Sequence, residues 1–224
     1  MSRSKPKPLI TWLNSYKILT EFELDPIVSF IQNSSEMIMQ KQVELERKYK
    51  DWEKRQKEEL GLPTAFEVFE HDILEHSKFS SILYNSIFIT VYSIMEITLF
   101  DICGYTQRVE KLGIKVKDLT GQNYIDKCKK YIKKVLEVDL CNIETLWNTI
   151  TKYQRIRNSI VHKNGKIAMI KNDLKIFIAN TAGIEYDEST TLVSISNNSF
   201  VVDFCKIVEK FIHDIIIEII DQKS

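Results

Sequence analysis

Three side chains near the end of one amphipathic stretch carry the chemistry in this chain: Arg157, Asn158 and His162, within Arg157-Asn158-Ser159-Ile160-Val161-His162. Histidine is the side chain whose ordinary pKa lies nearest neutrality, so His162 is suited to give or take a proton. The planar, permanently charged fork of Arg157 matches the oxygens of a phosphate or carboxylate and suits developing negative charge. Asn158, with a donor and an acceptor on one amide, is suited to orient either partner. Together they describe acid–base work at an anionic centre.

The stretch that positions them is Cys141 to Gly165. Leu146, Trp147, Ile150, Tyr153, Ile156, Ile160 and Val161 recur at three-and-four spacing, which predicts a helix from about Ile143 to Lys163 with one buried face. Asn142 is expected as its N-cap, with Glu144 in the first turn, and Asn164-Gly165 supplies a left-handed stop. Five residues apart on a helix, Arg157 and His162 stand about 140° apart around the axis, so they flank one edge that a long arginine can bridge. Tyr153, one turn before Arg157, is expected in the core.

The pattern R-N-x-x-x-H late in a helix resembles the signature of the HEPN superfamily of all-helical domains, its RiboL-PSP and abortive-infection types in particular. Many HEPN domains are ribonucleases that use no metal. The resemblance covers roughly Phe79 to Asp221. It implies an all-α HEPN-like bundle with catalytic residues Arg157, Asn158 and His162, no metal or cofactor, an RNA substrate and a 2′,3′-cyclic phosphate product. His162 would serve as base or acid, Arg157 would hold the phosphate, and Asn158 would orient the imidazole or a phosphate oxygen. It also implies a homodimer in which two motifs meet, since one histidine and one arginine cannot supply both acid and base. Toxin or anti-phage defence biology, with a cognate antitoxin or defence partner protein, is the implied setting. A non-catalytic module that binds nucleotide, RNA or protein is the alternative, and a helical interaction protein docking through its long charged helix is a third reading.

The elements around the motif follow from patterning. Residues 1–8 are expected as a tail, Leu9 to Glu23 as a short helix, and Asp25-Pro26 as the cap and first residue of a helix reaching Leu60. Its last twenty residues are dense in both charges, as in a solvated helix. Thr64 to Glu75 predicts a helical piece and Phe79 to Tyr105 the central core helix. The uncharged run Phe79 to Met95 holds four serines, an asparagine and a threonine, too short and too polar for a membrane span. Glu96 interrupts this helix. A carboxylate there needs a partner, for which Arg157 is the candidate, and many HEPN domains resemble this in carrying an acidic residue that faces the motif. A Lys-rich helix is expected over Asn123 to Glu137 and a helical segment over Lys166 to Asn180. A β-hairpin pairs 182–186 with 191–195, and a last helix, Phe200 to Asp221, starts from Asn197 or Asn198. The domain division expected is 1–62, a helical extension packing on the core, and 63–224, the HEPN-like domain.

Net charge is zero, but 106–175 holds 16 Lys/Arg against 7 Asp/Glu while 176–224 holds 3 against 8, so the motif lies in a basic block that would steer an anion. Cys103, Cys128, Cys141 and Cys205 form no C-x-x-C and no metal-ligand spacing, which fits reduced thiols. No signal-peptide pattern opens the chain, and a cytoplasmic protein without membrane association is expected. No glycine-rich phosphate loop, G-x-S-x-G or H-E-x-x-H is present, which removes support for kinase-like, α/β-hydrolase and zinc-protease readings.

Overall fold

The computed structural model describes residues 7–223 and is all-α apart from one hairpin. Six helices, α1 (Lys7–Glu58), α2 (Ala65–Val109), α3 (Tyr124–Lys134), α4 (Glu144–Lys163), α5 (Asn172–Ala179) and α6 (Asn198–Lys223), are joined by two 3-10 turns and the strands β1 (Ile184–Asp187) and β2 (Leu192–Ile195). Residues 1–6 of the expected N-terminal tail lie outside the described residues, and Pro8 is already in α1.

The two helices expected on either side of Pro26 are one, with the proline inside it. An interior proline removes a hydrogen bond and costs about 3 kcal/mol. Here the cost is outweighed by Leu9, Leu13, Leu24, Ile31 and Ile38, all buried along the same helix across the proline. A break at 24–26 would pull that apolar face off its neighbours. The pieces expected at 64–75 and 79–105 are likewise one helix, α2. Thr64 opens it with a capping box: the Glu67 amide donates to Thr64 Oγ1 at 3.2 Å and the Thr64 amide to Glu67 Oε2 at 2.7 Å. With no glycine or proline before Gly104, nothing interrupts it.

Helices α1 and α2 form an antiparallel pair, and the largely exposed part of it next to the connecting turn is termed the arm. The arm is tied by Trp52 Nε1 donating to the Pro63 carbonyl at 3.0 Å and by Phe69 against Tyr49 and Trp52. The remainder of the pair holds α6, whose Ile215, Ile216 and Ile219 are fully buried. By length and composition α2 qualifies as a membrane span, but half of the qualifying window is buried within this protein, as in a core helix.

The core centres on Phe88 and Tyr92 of α2, Tyr153 of α4, and Phe200 and Phe204 of α6. Ring centroids of Phe88 lie 4.8 Å from Phe204 and 5.2 Å from Phe200, and Tyr153 lies 4.5 Å from Phe204. This cluster fixes α4 on α2 and α6.

The C-terminal half of α4 is fixed from its far end as well. Asn164 (φ 49°) and Gly165 (φ 82°) turn the chain left-handed, and the Gly165 amide returns to the Ser159 carbonyl at 2.9 Å. A Cβ on Gly165 would stand 2.7 Å from the Val193 carbonyl, so only glycine lets β2 come this close. Val193 N donates to Gly165 O at 2.9 Å and Ile167 N to Thr191 O at 2.8 Å. These bonds draw Lys166 and Ile167 alongside β2, which is why the helix expected over 166–180 reduces to Asn172–Ala179. The hairpin pairs Ile184 with Ile195 and Asp187 with Leu192, close to the expected span.

Asn142 does not cap α4. The chain makes a 3-10 turn at Cys141–Ile143, Ile143 occupies the cap position, and Asn142 Nδ2 instead donates to Glu218 Oε1 of α6 at 2.9 Å. The Lys-rich helix is shorter than expected, ending at Lys134, with Asn123 as its cap, and Glu137 (φ 53°) lies beyond it. Of its lysines, Lys133 and Lys134 are exposed, whereas Lys127, Lys129 and Lys130 are half-buried.

Because Phe88 touches three elements of the core, Phe88→Ala is expected to cost about 3–5 kcal/mol. Urea unfolding followed by circular dichroism should show this as a lower midpoint with little change in slope.

Candidate functional site

Arg157 leaves α4 on the side that faces α2. Its guanidinium carbon lies 5.8 Å from the ring centroid of Tyr92, its Nε is buried without a hydrogen-bond partner, and its Nη1 donates to Asn158 Oδ1 at 3.3 Å. The stem is therefore inside and the outer nitrogens are at the surface. Tyr92 is 1 % exposed, with the Phe204 ring stacked at 6.4 Å and the Phe88 ring edge-on at 6.5 Å.

Glu96 stands one turn beyond Tyr92 on α2 and is half-buried. Burial pushes its carboxyl up from the ordinary 4.5, and the positive charge of Arg157 only partly opposes this. The expected ion pair is absent: no carboxylate oxygen approaches Arg157 within 4.0 Å among the described residues, whereas Arg155, two residues earlier, is bound by Asp173 of α5 at 2.7 Å. The structure thus neutralises Arg155 and leaves Arg157 without a paired anion. Burial also raises the Tyr92 phenol, helped by Glu96, so it stays protonated.

Gln154, one turn before Arg157, is buried and accepts a hydrogen bond from Asn123 Nδ2 at 3.2 Å, which ties the start of α3 to this face of α4. The Tyr92 hydroxyl lies close to Gln154 but has no partner of good geometry. Asn123, Gln154 and Tyr92 escaped the sequence reading. The signal was there for two of them, since Tyr92 precedes Glu96 by four residues and Gln154 precedes Arg157 by three, each on the same helix face.

Asn158 and His162, four apart, are both exposed, and His162 makes no hydrogen bond or ion pair among the described residues. The site therefore has two parts: an arginine anchored between helices with its fork turned outward, and a free imidazole farther along α4. Asn158 touches the first and shares a face with the second. Val161 and Ile97, which follow the motif arginine and Glu96 on their helices, are apolar and 40 % and 62 % exposed. Tyr153 is a core residue, as expected.

The remaining histidines serve elsewhere. His76 Nε2 meets the Ile38 carbonyl at 3.0 Å, His213 stands 3.6 Å from Glu21, and His71 is exposed. A cleft of about 730 Å³ lies between the arm and the end of β2, and it includes none of Arg157, Asn158, His162 or Glu96.

Glu96 gives a signed expectation. A carboxyl whose folded-state pKa is raised favours the folded state below the unfolded value of 4.5 and withdraws that support as pH rises through the folded value. Glu96→Gln should therefore match the native chain in acid and exceed it in stability above that window. Thermal midpoints taken from pH 4 to pH 8 read the difference, and parallel curves would contradict it.

Comparison with protein-family models, with curated proteins and with solved structures finds no match to this chain.

Proposed function

We propose that this protein is a HEPN-type endoribonuclease that cleaves RNA without a metal ion, at a site completed by a second copy of the chain, in a toxin or anti-phage defence role. The observation that carries the reading is the state of Arg157: a guanidinium with a buried stem, an outward fork and, among the described residues, no carboxylate within ion-pair distance, one helical turn and a residue from the exposed His162 imidazole. A cation left unneutralised while its neighbour Arg155 is paired is suited to an anionic guest, and the planar fork suits two phosphate oxygens.

In the reaction a base removes the proton of the ribose 2′-hydroxyl, the 2′-oxygen attacks phosphorus, and the 5′-oxygen leaves with a proton from an acid. The products are a 2′,3′-cyclic phosphate and a 5′-hydroxyl. Arg157 holds the phosphate and the charge that builds on its oxygens, Asn158 steadies the Nη1 edge, and His162 transfers a proton. A second His162 from the other subunit supplies the complementary proton step. Exposed Ile97 and Val161, on the helices that carry Glu96 and Arg157, supply apolar surface for that approach.

A second reading, an RNA- or nucleotide-binding module without catalysis, is favoured by one observation: among the described residues no side chain hydrogen-bonds the His162 imidazole. The two readings separate in one experiment. A mixed RNA pool is incubated in EDTA with wild type, Arg157→Ala and His162→Ala, and product ends are analysed. The expected result is cyclic-phosphate ends from wild type and a loss of at least about 10²-fold in each variant. His162→Ala should change stability by no more than about 0.5 kcal/mol, since its side chain is exposed. RNA binding that requires Arg157, without cleavage by a folded dimer, would establish the binding module instead.

A further inference from the structure

We infer that Tyr92 is the positioning residue of Arg157: its fixed ring is the shelf that holds the guanidinium with its outer nitrogens toward solvent, and the ring does this rather than the hydroxyl. The inference rests on the reading of Arg157 as the phosphate-holding group.

Arginine carries a long, freely rotating stem, and a phosphate that had to order it on binding would lose affinity to side-chain entropy. A contact within the protein that holds the fork removes that loss. Asn158 contributes a single contact at 3.3 Å from an exposed side chain on the same helix. Glu96 is not within ion-pair distance, and burial holds its carboxyl toward the neutral form. The Tyr92 ring lies under the guanidinium at 5.8 Å, within the reach of a cation–π contact. It belongs to the buried aromatic core, stacked on Phe204 and abutted by Phe88. A ring fixed on α2 therefore sets the head of a side chain rooted on α4.

The hydroxyl points the same way by its idleness. Tyr92 Oη is buried without a hydrogen-bond partner of good geometry, although the Gln154 side chain lies close to it. A phenol needed only for its ring carries that orphaned group at a cost in stability, so phenylalanine should replace it and raise the melting temperature.

This shelf also explains why the Arg157 Nε is buried yet unpartnered. The guanidinium carbon stands over the ring with Nε on the buried side, which leaves the outer nitrogens to be offered. Its Nη edge is the part that meets a phosphate, and the Nε–H is left inside the protein.

The test has two arms. In the first, the arginine Nε–Hε region of the nuclear magnetic resonance spectrum is recorded for the isotope-labelled full chain, with Arg157→Lys to assign the Arg157 signal. A signal shifted by the ring current and protected from water exchange, kept in Tyr92→Phe and lost in Tyr92→Leu, is the expected result. A signal in free exchange in the native chain, or one unmoved in Tyr92→Leu, overturns the inference, and this arm needs no activity. In the second, RNA cleavage is compared for wild type, Tyr92→Phe, Tyr92→Leu, Arg157→Ala and the double variant Tyr92→Leu/Arg157→Ala. Tyr92→Phe should keep wild-type rate and melt higher, while Tyr92→Leu should lose about 3- to 30-fold in kcat/KM. In the Arg157→Ala background Tyr92→Leu should cost nothing more, because its effect runs through the arginine. An undiminished further loss there assigns Tyr92 a merely structural role and overturns the proposal. If the native chain does not cleave RNA, the reading of the site fails while the spectroscopic arm still decides the shelf.

Discussion

The contact of Tyr153 with Phe88 and Phe204 is the constraint on which the rest depends, because it seats the motif helix between the two longest-buried helices of the protein. Aromatic rings at 4.5–6.2 Å supply area and a defined packing angle at once, so α4 has one rotation about its axis and one depth. One turn along that helix the same rotation directs Arg157 toward α2. The arginine's placement is thus a by-product of core packing, and no feature of the motif itself produces it.

Electrostatics then divides the basic stretch into two kinds of cation. Arg155 is paired with Asp173, Lys129 with Glu144 and Lys130 with Asp126, so part of the positive charge in that region is structural. Desolvation acts on Glu96 in the opposite sense: half-burial raises its carboxyl instead of letting it pair tightly with Arg157. The net effect is an arginine without an ion-pair partner among the described residues. Such selectivity among neighbouring basic residues is invisible in a count of lysines and arginines.

Periodicity made α4, α6 and the hairpin legible from sequence, and Asn164-Gly165 marked the end of α4. What was misread turned on tertiary contacts overriding local signals. Asp25-Pro26 is a strong helix start by local rules, yet Leu24 and Ile31 are buried on a shared face and carry the helix through it. Asn142 is a good cap by type, but Glu218 of α6 claims its amide. Residues 166–171 have helical composition, and strand pairing with β2 holds part of them extended. At the site, the types of Arg157, Asn158 and His162 were readable, and their orientations were not. The ring under the guanidinium and the vacancy beside the imidazole depend on which helix faces which, and neither has a signature in neighbouring letters.

Gly165 gives this geometry a genetic meaning. Its left-handed backbone and its 2.7 Å approach to the Val193 carbonyl leave no room for any side chain, and three residues upstream lies His162. On the proposed reading of the site, a survey of loss-of-function substitutions would therefore place Gly165 alongside His162 and Arg157, though it has no side chain able to bind, donate or accept a proton from a substrate. In such a survey the boundary between chemistry and carpentry would run inside a single turn of chain, and sensitivity to substitution alone would not reveal on which side a residue lies.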